Sequence, residues 1–199
     1  ICEALLRQLD DYVLPRLESI DAPLLAVVGG STGAGKSTLV NSIVGGEVSR
    51  SGVLRPTTTI PVLIHHPDDS RWFTTSRVLP RLSRVTGRPG DEDQPGTVRL
   101  VESGTLPAGL ALLDAPDIDS VVSANRSLAG QLLQAADMWL FVTTAARYAD
   151  AVPWDLLRSA SDRGTAVAIV LDRVPPEDME VVRPHLVEML RDQGMGTSP

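Results

Sequence analysis

The chain has 199 residues, 43% of them hydrophobic and 22% charged, a balance that supplies one full core and excludes a disordered polymer. With 18 basic against 25 acidic side chains and a net charge of −7, a general nucleic-acid or anionic-lipid surface is excluded, because phosphate attraction needs a cationic excess. No run reaches the roughly 18 apolar residues of a bilayer span, and a lone cysteine, Cys2, forms no internal disulfide and points to a reducing cytoplasm.

Leu5, Leu9, Val13 and Leu17 recur every four residues and predict an amphipathic helix over 3–19, bent or shortened at Pro15. It packs on the domain's own sheet or reaches toward another domain, and residues 1–22 are set apart from a domain spanning 23–199. Pro23 to Gly29 is a short apolar run, as in a strand buried on both faces, and it enters a glycine-rich turn. Lys36 to Val44 reads as a helix ended by Gly45 and Gly46. Pro56 to His65 reads as a strand and 67–96 as irregular. Thr97 to Glu102 alternates like an edge or antiparallel strand, and Leu110 to Leu113 is another buried run.

A helix over 123–136, a strand over 138–143, a helix over 152–163 and a strand over 166–171 follow. Pro184 is expected to divide 176–192 into two helices, sitting in the first turn of the second. Strands separated by helices imply a three-layer α/β fold, a mostly parallel sheet with helices on both faces. Ligands of such sheets sit at the carboxyl ends of the strands.

Gly30-Ser31-Thr32-Gly33-Ala34-Gly35-Lys36-Ser37 fits the phosphate-loop pattern G-x-x-x-x-G-K-[ST], which arises by chance in roughly one chain in a hundred of this length. Its glycines let backbone N–H groups converge on a polyphosphate, and the new helix adds about half a positive charge at its N-terminus. Lys36 supplies a full charge to the terminal phosphates, and the Ser37 hydroxyl, with Thr38 beside it, suits Mg²⁺ and phosphate oxygens.

Leu110-Ala111-Leu112-Leu113-Asp114 ends an apolar strand in a carboxylate that would order the water of that ion. Ala115 stands where many ATPases carry a water-activating Glu. In Arg55-Pro56-Thr57-Thr58-Thr59 a threonine, Thr58 first, is the candidate third ion ligand and γ-phosphate sensor. Ser37, Thr58 and Asp114 are thus the metal set, and Lys36, Thr58 and Asp114 the catalytic set.

These residues resemble a GTPase of the dynamin-like group, within the translation-factor-related class of phosphate-loop proteins, over roughly residues 23–174. The resemblance rests on Gly30 to Ser37, on Arg55 to Thr59 as first switch, and on Asp114-Ala115-Pro116-Asp117 as second switch. It implies Mg²⁺, GTP as substrate and GDP as product, slow hydrolysis as a switch or motor head, and dimerisation across the nucleotide face. It further implies a cytoplasmic protein, peripheral at a membrane through regions outside this sequence, with no nucleic-acid partner. Relatives carry a sixth core strand after the last helix; either it is expected beyond Pro199 or this sheet has five core strands.

Two departures stand out. The pattern D-x-x-G ends in Asp117, a carboxylate that would repel a γ-phosphate by about several kcal/mol if it faced inward, and Ile118 replaces a water-orienting Gln. The guanine-reading N/T-K-x-D is replaced by Asp172-Arg173-Val174-Pro175, in which Asp172 takes the first position and Arg173 stacks on the base. Two alternatives therefore stand: a nucleotide sensor without turnover, and an ATP-using ATPase or kinase. His65, His66 and His185 read as structural or surface residues, Trp72, Trp139 and Trp154 as packing, and Arg77, Arg81, Arg84 and Arg88 as a solvated face.

Overall fold

The computed structural model describes residues 21–49, 60–87, 94–120 and 123–195. The helix over 3–19 and the segment Arg55 to Thr59, with Thr58, lie outside them.

Strand β1, Leu24–Gly30, is buried from its second residue onward, because an apolar, Val-containing run fits a strand covered on both faces. It lies between β5 (Leu110–Asp114) and β6 (Met138–Thr144) and is parallel to both. β7 (Ala166–Asp172) pairs in parallel outside β6. On the other side β2 (Val62–His65) runs antiparallel to β5, and β4 (Thr97–Glu102) and β3 (Ser83–Val85) continue the sheet in β2's direction. The order is β3-β4-β2-β5-β1-β6-β7.

The period of two along β1 divides the core. Ala26 and Val28 face Val40 and Val44 of helix α1, Lys36–Val44. Leu25 and Val27 belong to the opposite cluster with Leu132 of α3 (Ser123–Ala135), Leu157 of α4 (Ala151–Asp162) and Leu186 of α5 (Pro176–Asp192). This is the expected three-layer arrangement. Since β1, β5, β6 and β7 are mutually parallel, the loops that follow them open at one edge of the sheet.

Four expectations are corrected. Thr97 to Glu102 is an interior strand, parallel to both neighbours; its polar positions Thr97 and Arg99 are buried rather than solvated, Thr97 Oγ1 donating to Gln94 O and Arg99 Nη1 to Gly87 O. The stretch 67–96 contains helix α2, Ser70–Phe73, as well as β3. Residues 176–192 form one helix with Pro184 inside it, because Val182 and Leu186, on either side of the proline, are anchored in buried positions. Arg84 is no solvated side chain: it donates to the carbonyls of Val78, Leu79 and Leu82 and, at 3.1 Å, of Phe73, and burial lowers its pKa. Within the described part of 56–65, the strand is limited to Val62–His65.

The three tryptophans pack as expected: Trp72, Trp139 and Trp154 are all buried. Trp139 explains Gly29. A Cβ on that glycine would lie 2.3 Å from Trp139 Nε1, inside any tolerable contact distance. Gly29→Ala is therefore expected to lower stability by about 1–3 kcal/mol, seen as a fall in Tm. Because Phe lacks the clashing nitrogen, the loss in Gly29→Ala/Trp139→Phe should be smaller than the sum of the two single losses.

Candidate functional site

The turn after β1 carries Gly35 at φ 100°, the left-handed N-cap of α1. That position admits only glycine for a second reason: a Cβ would meet Asp172 Oδ2 at 2.1 Å. The tight entry into α1 turns Lys36 inward, so that its side chain is only 6% exposed. A buried ammonium needs partners on all its protons. Lys36 Nζ donates to Gly30 O and Ser31 O at 3.0 Å each and to Asp117 Oδ1 at 2.5 Å.

One residue on, Ser37 Oγ donates to Asp114 Oδ2 at 2.6 Å. Parallel pairing of β1 with β5 brings them together, placing Asp114 beside Val28. Ser49 Oγ donates to the same carboxylate oxygen at 2.5 Å. Asn41 on α1 fixes that serine: its Oδ1 accepts from the Val48 and Ser49 amides, and its Nδ2 donates to Ser49 O. Pattern reading has no means of finding Ser49, because only the fold of this loop brings it to a carboxylate 65 residues away.

Asp114 is fully buried, and its Oδ1 has no hydrogen-bond partner, as is also true of Ser31 Oγ in the loop. Burial raises the Asp114 pKa, opposed by the two serine bonds and by Lys36. A buried carboxylate oxygen without a partner, next to a serine hydroxyl, is a donor set suited to a hard cation. No cluster of three or more His, Cys, Asp or Glu side chains suited to a metal exists among the described residues. These residues fit Mg²⁺, which takes few protein ligands and completes its shell with waters and phosphate oxygens.

The segment after Asp114 lies over the loop. Asp117 faces Lys36. Asp119 Oδ1 accepts from Thr32 N at 2.7 Å and Thr32 Oγ1 at 2.8 Å, while its Oδ2 accepts from Arg147 Nη1 at 2.9 Å. Burial works against ionisation of Asp119, but the Thr32 bonds and Arg147 outweigh it and hold its pKa down. Ile118, in the place of a water-orienting residue, is buried in the core. Sequence reasoning misses Asp119 and Arg147, since no local pattern marks a pairing between the loops after β5 and β6.

Asp172 and Arg173 close the far side. Arg173 adopts φ 53°, bonds Asp172 through its amide and Nε, and donates from Nη2 to Gly33 O at 2.5 Å. Both residues thus reach the loop, with the guanidinium held by a loop carbonyl. Ala34 is buried beneath the loop and Thr38 is exposed on α1. Lys36, Ser37, Asp114, Asp172 and Arg173 come together around the loop; Thr58 lies outside the described residues.

An anion-binding loop at the carboxyl edge of a parallel sheet, with a hydroxyl and a carboxylate paired beside it, defines the phosphate-loop nucleoside triphosphatase fold. The model of the dynamin family matches residues 25–174, and the chain belongs to that family of GTPases.

Among solved structures, a member of an oligomerised bacterial dynamin pair, described as sensing and tethering membranes over long range, is 14% identical with a TM-score of 0.60. It is matched over 92% of this chain and 32% of its own length. Era in complex with MgGDPNP and a 16S ribosomal RNA segment is 18% identical, with a TM-score of 0.53 over 89% of this chain and 49% of its own. A single-residue variant of Aquifex aeolicus Era bound to GDP and AlF4− is 19% identical, with a TM-score of 0.53 over the same shares. The chain therefore spans about a third of the dynamin-pair protein and about half of Era. No curated protein matches.

Asp114→Asn removes a charge that burial disfavours. In metal-free buffer at neutral pH it is expected to raise Tm by about 2–4 °C, the shift of roughly 1 kcal/mol at this size. A carboxylate with a raised pKa weakens the fold as pH climbs from the unfolded value to the folded one. The gap between variant and parent should therefore close as pH falls below about 4. Thermal melts across pH measure it, and stabilisation by added Mg²⁺ with nucleotide should disappear in the variant.

Proposed function

We propose that this domain binds GTP with Mg²⁺ and hydrolyses it slowly, as a dynamin-like switch or motor head. The observation that carries this is the Lys36 ammonium held beside the Ser37–Asp114 pair at the carboxyl edge of the sheet. Ser37 and Asp114 would hold the ion, directly or through its waters, with Thr58 as the proposed third ligand. Bound Mg²⁺ supplies Lewis-acid neutralisation of phosphate charge. The chain's own part is positional: amides of Gly30 to Thr38 bind the phosphates, and Lys36 balances charge growing on the transferred group. Asp172 and Arg173 would border the base, with Arg173 oriented by Gly33 O and Asp172.

The guanine preference is supported by the family and by neighbours such as Era with its guanine nucleotides. Dimerisation across the nucleotide face, and peripheral membrane contact through other regions, are supported by the oligomerised, membrane-tethering neighbour. Among the described residues no helix is long and apolar enough to cross a membrane. We further propose that residues 1–22, with a helix over 3–19, belong to a helical bundle beside the GTPase domain at 23–199.

A second reading, a sensor that binds without turnover, is favoured by one contact: Asp117 engages Lys36, the cation that hydrolysis requires. Single-turnover assays separate the two, since hydrolysis by the parent chain excludes the sensor.

Calorimetry tests the binding itself. The parent chain should take GTP in preference to ATP, and only with Mg²⁺ at full affinity. Lys36→Ala removes charged hydrogen bonds worth about 1.5–3 kcal/mol each, so affinity should fall at least about tenfold. Equal or tighter ATP binding would overturn the guanine assignment.

A further inference from the structure

The geometry points to Asp117 as an internal stand-in for a terminal phosphate, one that makes the resting site prefer a nucleoside diphosphate over a triphosphate. This rests on the nucleotide-binding reading above and adds to it a discriminating residue that the loop pattern does not contain.

Donor counting comes first. An ammonium has three protons, and those of Lys36 go to Gly30 O, Ser31 O and Asp117 Oδ1. The two carbonyl bonds belong to the loop's own closure. The proton directed at Asp117 is the one pointing away from the loop, toward the segment that follows β5. A diphosphate held by the loop amides and Ser37 leaves that proton with Asp117. A triphosphate brings a further anionic group that needs it. The carboxylate must then yield its cation and also remain beside a like charge.

The backbone that carries the carboxylate is pinned on both sides. Ahead of it, Ala115 N donates to Val28 O at 3.1 Å, extending the pairing with β1. Just past it, Ile118 N reaches Gly30 O at 3.4 Å and its side chain is 2% exposed in the core. Asp119 is tied to Thr32 through both amide and hydroxyl and to Arg147. The charged and titratable groups next to Asp117 reinforce this: Lys36 is its ion-pair partner, and Asp114 is a second negative charge coupled to it. Swinging Asp117 outward, a side-chain rotation from a position 24% exposed, gives up its ion pair with Lys36. Keeping it inward sets it against the added phosphate. Either way the triphosphate carries a cost that the diphosphate does not.

Calorimetric titration of the whole chain with Mg²⁺ and either GDP or a non-hydrolysable GTP analogue tests this in the parent and in Asp117→Asn. The amide keeps the shape and removes the charge. The parent is expected to bind the diphosphate more tightly. The variant should gain about tenfold or more for the triphosphate analogue, one unit charge at this range being worth at least that, while its diphosphate affinity changes by less than about threefold. Asp117→Gly, which removes the side chain, should show the same direction, and thermal melts establish that each variant is folded.

Equal changes for both nucleotides in the folded variants, or an unchanged ratio, would overturn the discriminating role while leaving the nucleotide site standing. Absence of binding of either nucleotide by parent and variants alike would instead defeat the site assignment, and this inference with it.

Discussion

A lysine ammonium buried to 6% exposure is the constraint around which this domain is arranged. Placing that charge out of water is tolerable only when its protons are all bonded and an opposite charge lies close. The backbone meets the first requirement by folding Gly30 and Ser31 back over the side chain, which needs the glycine-rich turn. Asp117 meets the second, which draws the segment after β5 over the loop. The sheet makes both moves available, because parallel pairing of β1 with β5 delivers the two loops to the same edge.

The same register creates the second charged centre. Asp114 is opposite Val28 on one side and Val62 on the other, in the middle of a sheet whose neighbouring residues are apolar. Its carboxylate is kept there by two serine hydroxyls on one oxygen, while the other oxygen has no partner. Such an arrangement is unfavourable as structure alone. It becomes reasonable when the oxygen faces a cation, and the raised pKa measures how far the fold by itself is from satisfying it.

What is legible in the sequence follows from range. The loop, Lys36, Ser37 and the strand that ends in Asp114 are local patterns, in which spacing and composition encode geometry directly. The strands β1, β5, β6 and β7 read correctly for the same reason. Ser49, Asp119 and Arg147 are not legible, since each owes its place to contacts between segments far apart in the chain. The strand Thr97–Glu102 looks like an edge in sequence because Thr97 and Arg99 are polar; their burial is made possible by partners elsewhere, Gln94 O and Gly87 O, and the outer strand β3 is too short to announce itself. Pro184 misleads in the opposite sense: local chemistry argues for a break, and the burial of Val182 and Leu186 overrides it. Asp117 is legible as a departure, with repulsion of a γ-phosphate as its consequence if it faces inward; that its carboxylate does meet Lys36 is known only from the fold.

Charge balance at the loop ties nucleotide to ion. Asp114, Asp117 and Asp119 face the loop from the β5 side, against Lys36 and Arg147, and Arg147 is already engaged by Asp119. A polyphosphate entering this set adds several negative charges to a region with little cationic capacity left, so the ion's two positive charges are what let it remain beside Asp114. If the domain binds both as proposed, ion and nucleotide raise each other's affinity by the same factor, as linkage requires. The ion also competes with a hydroxyl. Asp114 Oδ2 accepts from Ser49, which is held by Asn41. An ion drawing on that carboxylate would weaken the bond to Ser49. Ion binding and the position of Ser49, which Asn41 holds through its amide and carbonyl, would thereby be linked through one shared carboxylate oxygen.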